Sequence, residues 1–203
     1  QTTKDYKAYL IRTLLNRLFK MRMNAWAFEN PSYKKASIQY SSFLNATGVL
    51  LCSVELLPGK MEKGISEFIA QQEQIFRYGF TRAEIERAKK VIYNNLENKL
   101  QNQQNPTSIE LMNDVYADFY VGNRFTSLQE EYQLVQLYFP EIDSVALARN
   151  LAKVYSPRKM HYLLRANEKA DKEVGGDMTL MAIIKEARKQ SLERYNKHVS
   201  VPD

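Results

Sequence analysis

The sequence predicts an α+β fold: a two-layer sandwich in which an antiparallel sheet is covered by helices. Three observations carry that expectation. Residues 36–57 change to a period of two around a short Gly-containing loop, as a β-hairpin does. Helix-opening signals at Thr81, Thr107, Ser127 and Asp143 each precede apolar residues spaced by three and four. A short apolar run at 158–166, bounded by Pro157 and a polar stretch, reads as a third strand.

Taken in order, residues 5–26 form a helix with Leu10, Leu14, Leu18 and Met21 on one face and Arg17 and Arg22 as its polar flank. A turn around Asn30-Pro31 follows. Ile38, Tyr40, Ser42 and Leu44 alternate with Gln39, Ser41 and Phe43 in the first strand. After Asn45-Ala46-Thr47-Gly48, the second strand runs to Leu56; it is apolar on both faces near its start and is expected to be central, covered on at least one side. Leu57-Pro58-Gly59 ends it. From Lys60 to Tyr78, Met61, Ile65, Phe68, Ile69, Ile75 and Phe76 share one side of a helix in which Gly64 permits close packing.

Gly79-Phe80-Thr81 is a tight joint, because glycine reaches positive φ without a Cβ penalty. Thr81 and Glu84 make a capping box, and Ile85, Ala88, Ile92, Leu96 and Leu100 form one stripe down to Gln104, ahead of Pro106. At 1.5 Å per residue that helix would be roughly 35 Å long, enough to serve as the spine of the domain. A second box, Thr107 to Glu110, opens a helix through Leu111, Val115 and Phe119. A third, Ser127 to Glu130, opens one to about Leu137, and Asp143 or Ser144 caps a last one to Tyr155. Residues 167–177, charged and carrying Gly175-Gly176, read as a linker, followed by a modest helix from Met178. The predicted organisation is therefore a domain at 1–168 and a linker with a short helix at 169–203. Three strands make a thin sheet for so many helices, so one or more strands are expected to precede residue 1.

The composition sets bounds on function. The chain has 203 residues, 44% hydrophobic and 26% charged, with a net charge of +6. No run is long enough to span a membrane, and no signal peptide is recognisable at Gln1-Thr2-Thr3. Lys4, Lys7, Arg12, Arg17, Lys20, Arg22, Lys34 and Lys35 give a basic N-terminal region, but no zinc finger, GXXG loop or RRM-like strand accompanies them. Basic residues interleave with acids along the helices, so solvated faces explain the charge better than specific nucleic-acid binding. Thirteen tyrosines suit grooves and interfaces, where a ring is buried and a polar tip stays wet. A homodimer is one such interface.

Catalytic chemistry is not legible. A zinc site needs three or four convergent ligands, whereas the chain has His161, His198 and Cys52, far apart and without H-x-x-E-H. Neither a phosphate-binding glycine loop nor a nucleophile motif occurs. Cys52 reads as one apolar residue of a strand and His161 as a structural or surface histidine.

Several segments, in order, resemble the non-zinc half-repeat of the insulinase/pitrilysin metallopeptidases, whose fold is shared with mitochondrial processing peptidase. They are Leu15-Asn16-Arg17-Leu18-Phe19, the strand pair at 36–57, residues 78–89 from Tyr78-Gly79-Phe80-Thr81 onward, Val121-Gly122-Asn123, Asp143-Ser144-Val145, and the tail around Tyr195-Asn196-Lys197-His198-Val199. The resemblance covers essentially the whole chain. It implies a second, non-catalytic domain with its linker, and zinc held elsewhere, in the catalytic domain of a larger endopeptidase. The partners it implies are the remaining domains of that polypeptide and an extended, unfolded peptide held in a chamber. No catalytic or metal residue carries over by position; after Arg22 the chain has Trp26-Ala27-Phe28 where the family places an Arg…Gly-Tyr arrangement. Arg17, Arg22 and Tyr40 are the residues expected at a peptide or interdomain contact. The alternative reading is a stand-alone helical domain that binds a protein or, weakly, nucleic acid.

Overall fold

The computed structural model describes residues 3–29, 31–43, 47–101, 112, 127–190 and 192–196. The element at its centre is α1, Thr3–Ala27, rather than the helix that follows Thr81. Two adjacent rows at spacing four, Leu10-Leu14-Leu18-Arg22-Trp26 and Ile11-Leu15-Phe19-Met23, are all buried. Such a broad apolar face requires neighbours on several sides. The sheet, α2 and the later helices supply them.

β1 (Tyr33–Phe43) and β2 (Thr47–Leu56) pair antiparallel, with Ile38 opposite Cys52 and Tyr40 opposite Leu50. The register shifts once, between Tyr33 and Lys35. Ala36, Ile38, Tyr40, Leu50, Cys52 and Val54 pack on the helices. The opposite face is open: Leu51 is 57% exposed, Ser37 and Ser53 hydrogen-bond across the strands at 2.8 Å, and Lys34 pairs with Glu55. The sheet is thus covered on one side, in an α+β sandwich. Among the described residues it has two strands, and β2 pairs with β1 alone.

The expected third strand does not pair. Pro157–Lys159 is a 3₁₀ turn, and 160–166 carries no regular structure. The alternation there is nonetheless physical: Tyr162 and Leu164 pack inward while His161, Leu163 and Arg165 are exposed. The side chains alternate as a strand's would, and the backbone lacks a ladder partner among the described residues.

α2 (Met61–Tyr78) lies close to the start of β1. A Cβ on Gly64 would stand 2.7 Å from the Ser32 carbonyl oxygen, so only glycine allows that approach. Gly79, at φ 68°, turns the chain into α3 (Arg82–Gln101). The expected capping box is present: Glu84 N–H donates to Thr81 Oγ1 at 3.2 Å, and Thr81 N–H donates to Glu84 Oε2 at 2.8 Å. Ile85, Ala88 and Leu96 are buried, while Ile92 is partly so. α3 is a flanking helix against α1, not the spine. The helix expected from Thr107, with Val121-Gly122-Asn123, lies outside the described residues apart from Met112.

α4 (Leu128–Tyr138) opens on the Ser127–Glu130 capping box and α5 (Ser144–Val154) on Asp143, whose carboxylate accepts from Ala146 N–H at 2.8 Å. Residues 168–174, expected as an irregular linker, form α6 (Glu168–Val174), capped by Asn167. Gly175, left-handed at φ 80°, separates it from α7 (Gly176–Lys189). Val174, Leu180, Ile183, Ile184 and Ala187 pack against Met61, Ile65 and Ile69 of α2 in a second apolar cluster.

Candidate functional site around Arg22

Arg22 stands on the buried row of α1, and its side chain is 0% exposed. Its Nε and Nη2 donate to the two oxygens of Glu84, each at 2.7 Å. That carboxylate also closes the capping box of α3, so one group anchors the first turn of α3 and neutralises a cation in α1. A buried guanidinium is tolerated only when paired in this way. Three rings surround it. Its Cζ lies 3.8 Å from the Tyr195 ring centroid, 5.4 Å from Phe80 and 5.7 Å from Trp26. Nη1 meets no hydrogen-bond acceptor among the described residues and sits within this aromatic surround.

The polar-flank reading of Arg22 is therefore corrected: the residue is internal and is committed to Glu84. The sequence did contain a signal. Arg22 is four residues from both Leu18 and Trp26, on the same row, and a charge on a buried row demands a partner. The partner, 62 positions away, is not visible from local spacing.

Arg17 is half-buried on the same helix, and its Nε is buried without a hydrogen-bond partner among the described residues. Tyr40 is half-buried against the core, and its ring lies across Gly48, where an added Cβ would stand 2.8 Å away. The Tyr40 backbone is held by α1. Asn16 Nδ2 donates to its carbonyl at 2.8 Å, and its N–H donates to Asn16 Oδ1 at 2.7 Å. Asn16 thereby imitates a neighbouring strand at the free edge of β1. No hydrogen bond, ion pair or ring contact joins Arg17, Arg22 and Tyr40 to one another among the described residues.

A groove of about 410 Å³ runs beside the Arg22 centre. Lys63, Glu67, Gln71 and Gln74 of α2 line one wall, and Trp26, Leu192 and Tyr195 the other. A second polar cluster ties α2 to α5 and α7. Tyr155 donates to Glu73, Arg188 pairs with Glu73 at 3.3 Å, and Arg188 also donates to Tyr162. Burial, and then the bond to Glu73, push the Tyr155 phenol well above its usual range.

None of this is a catalytic constellation. Burial pushes the Cys52 thiol up to about 12, the reverse of an activated nucleophile. His161 is exposed. No group of three or more His, Cys, Asp or Glu that could hold a metal ion occurs among the described residues. No helix of the described residues is long and apolar enough to cross a membrane.

No protein-family description and no curated protein matches the sequence. Solved structures do match. The periplasmic protease PqqL from Escherichia coli superposes with a TM-score of 0.83 at 18% identity, covering 100% of this chain and 23% of PqqL. The first half of the same protease gives 0.82 at 19% identity, over 97% of this chain and 43% of that one. A predicted insulinase family protease from Yersinia pestis gives 0.65 at 12%, covering 93% and 40%. The ferredoxin protease FusC, as its E83A mutant in complex with Arabidopsis ferredoxin, gives 0.65 at 12%, covering 100% and 23%. The chain spans less than half the length of each. Its fold is that of a segment of the insulinase-type metallopeptidases, as the sequence resemblance implies.

Proposed function

We propose that this chain is a non-catalytic domain of a zinc metalloendopeptidase, which supports a peptide-holding chamber and packs against the remaining domains of the same polypeptide. The observation that carries this reading is the superposition of the whole chain on under a quarter of a protease, by a sequence that contains no H-x-x-E-H. The distribution of polar groups agrees with it. Arg22, Glu84, Glu73 and Arg188 are engaged in holding helices together, while one face of the sheet is left open. Such a module contributes walls and rigidity, and the zinc chemistry belongs to another domain. FusC was solved with a protein bound to it, which supports a polypeptide as the chamber's occupant here.

Two experiments test the proposal. The coding sequence flanking this segment should encode a zinc-motif domain in the same reading frame; a reading frame confined to these residues overturns it. Incubation of the purified chain with an unstructured peptide and added zinc should give no cleavage products. Cleavage that a chelator abolishes would make the chain an enzyme in its own right.

A further inference from the structure

We infer that residues 192–196 form a releasable latch, which grips the joint between α2 and α3 and closes over Arg22. Consecutive latch residues use cation–π contacts of opposite sense. Arg194 places its guanidinium 5.9 Å from the Tyr78 ring centroid, at the end of α2. Tyr195 places its ring 3.8 Å from the Arg22 guanidinium, which Phe80 flanks from the other side of Gly79. The latch therefore straddles Tyr78-Gly79-Phe80. Gln74 Nε2 donates to the Glu193 carbonyl at 2.8 Å, and the Tyr195 ring meets Trp26 edge-on at 6.3 Å.

The seat and the strap differ in how firmly they are built. The seat is preformed, because the bidentate Arg22–Glu84 pair and the capping box need no latch residue. The strap has no regular secondary structure; Glu193, Arg194 and Asn196 are exposed, and Leu192 and Tyr195 are only half-buried. A segment with few buried contacts opens at far lower cost than the core does. Release would uncover Trp26 and let water reach Arg22 and the Glu84 carboxylate that caps α3. The position of the chain after α7 is thus coupled to the start of α3. This coupling belongs to the chain itself and does not depend on its role in a protease.

Trp26, the one tryptophan of the sequence, lies under the latch and reports on it. Acrylamide quenching of its fluorescence should be compared in the full 203-residue chain and in Tyr195→Ala, Tyr195→Phe and Arg194→Ala variants. Loss of a desolvated cation–π contact should raise the open population about tenfold in Tyr195→Ala, with a matching gain in quenching and an unchanged cooperative unfolding transition. Tyr195→Phe keeps the ring and its contact with Arg22, so it should stay well below Tyr195→Ala; Arg194→Ala should fall between the unmodified chain and Tyr195→Ala. In the unmodified chain, amide hydrogen exchange at 192–196 should proceed by local opening that is insensitive to low denaturant. Unchanged quenching in Tyr195→Ala overturns the latch, and so does a Tyr195→Phe variant as open as Tyr195→Ala. Failure of Tyr195→Ala to fold, or exchange at 192–196 only through global unfolding, would show the strap to be part of the core, and would equally overturn it.

Discussion

Arg22 is wholly buried, and the Glu84 carboxylate answers its charge. Replacing Arg22 by Met should destabilise the fold by about 3–5 kcal/mol, since Glu84 is left without its cation. The double variant Arg22→Met, Glu84→Gln should cost clearly less than the sum of the single changes, because the two act as one unit. Denaturant unfolding of the three variants measures this, and additive costs would mean that the pair is not coupled. Cys52 gives a residue-scale test in pH. Its folded pKa is raised from 9.0 to about 12 by burial, so the native state holds the proton that the unfolded chain releases. That contribution is complete below about pH 9 and is lost as the pH rises toward 12. Over that window the unmodified chain should lose stability faster than Cys52→Ala, and near neutral pH a thiol reagent should label the native chain far more slowly than the unfolded one. Prompt labelling of the native chain would contradict the burial.

At the scale of elements, helix starts were the most legible features. Thr81, Ser127 and Asp143 all cap as their spacing implies, because a cap is a local contract between side chain and backbone over three residues. The close approach that Gly64 allows was legible for a similar reason, since a glycine inside an apolar helical stripe needs a packing motive. The pairing of β1 with β2 was legible from the short Gly-containing loop between them; whether residues 160–166 pair was not. Residues 160–166 alternate as expected, but alternation records which side chains face the core and says nothing about which backbone lies alongside. α1 is central because a second row, Ile11-Leu15-Phe19-Met23, is buried beside the first, whereas a single apolar stripe does not distinguish a central helix from a flanking one. Asn16 offers the test of this element's role. Its side chain satisfies both backbone groups of Tyr40, so Asn16→Leu should cost about 1–3 kcal/mol through the unsatisfied strand edge. Hydrogen exchange at Tyr40 should accelerate with it. An unchanged exchange rate there would show that α1 does not hold the edge.

For the whole molecule, the layered fold follows from a hairpin that cannot bury its apolar face alone and from helices that must cover it. The packing of α6 and α7 on α2 was illegible for a compositional reason: a charged stretch with two glycines looks like a linker, although Asn167 and Gly175 cap short helices within it. The functional reading rests on the same scale. The proposal that it walls a larger chamber draws on its superposition, whole, on under a quarter of a protease and on the internal struts made by Arg22, Glu84, Glu73 and Arg188. The most direct measurement is the zinc content of the purified chain, determined by atomic absorption after dialysis without chelator. The account predicts far less than one zinc per chain; one tightly held zinc per chain would contradict it.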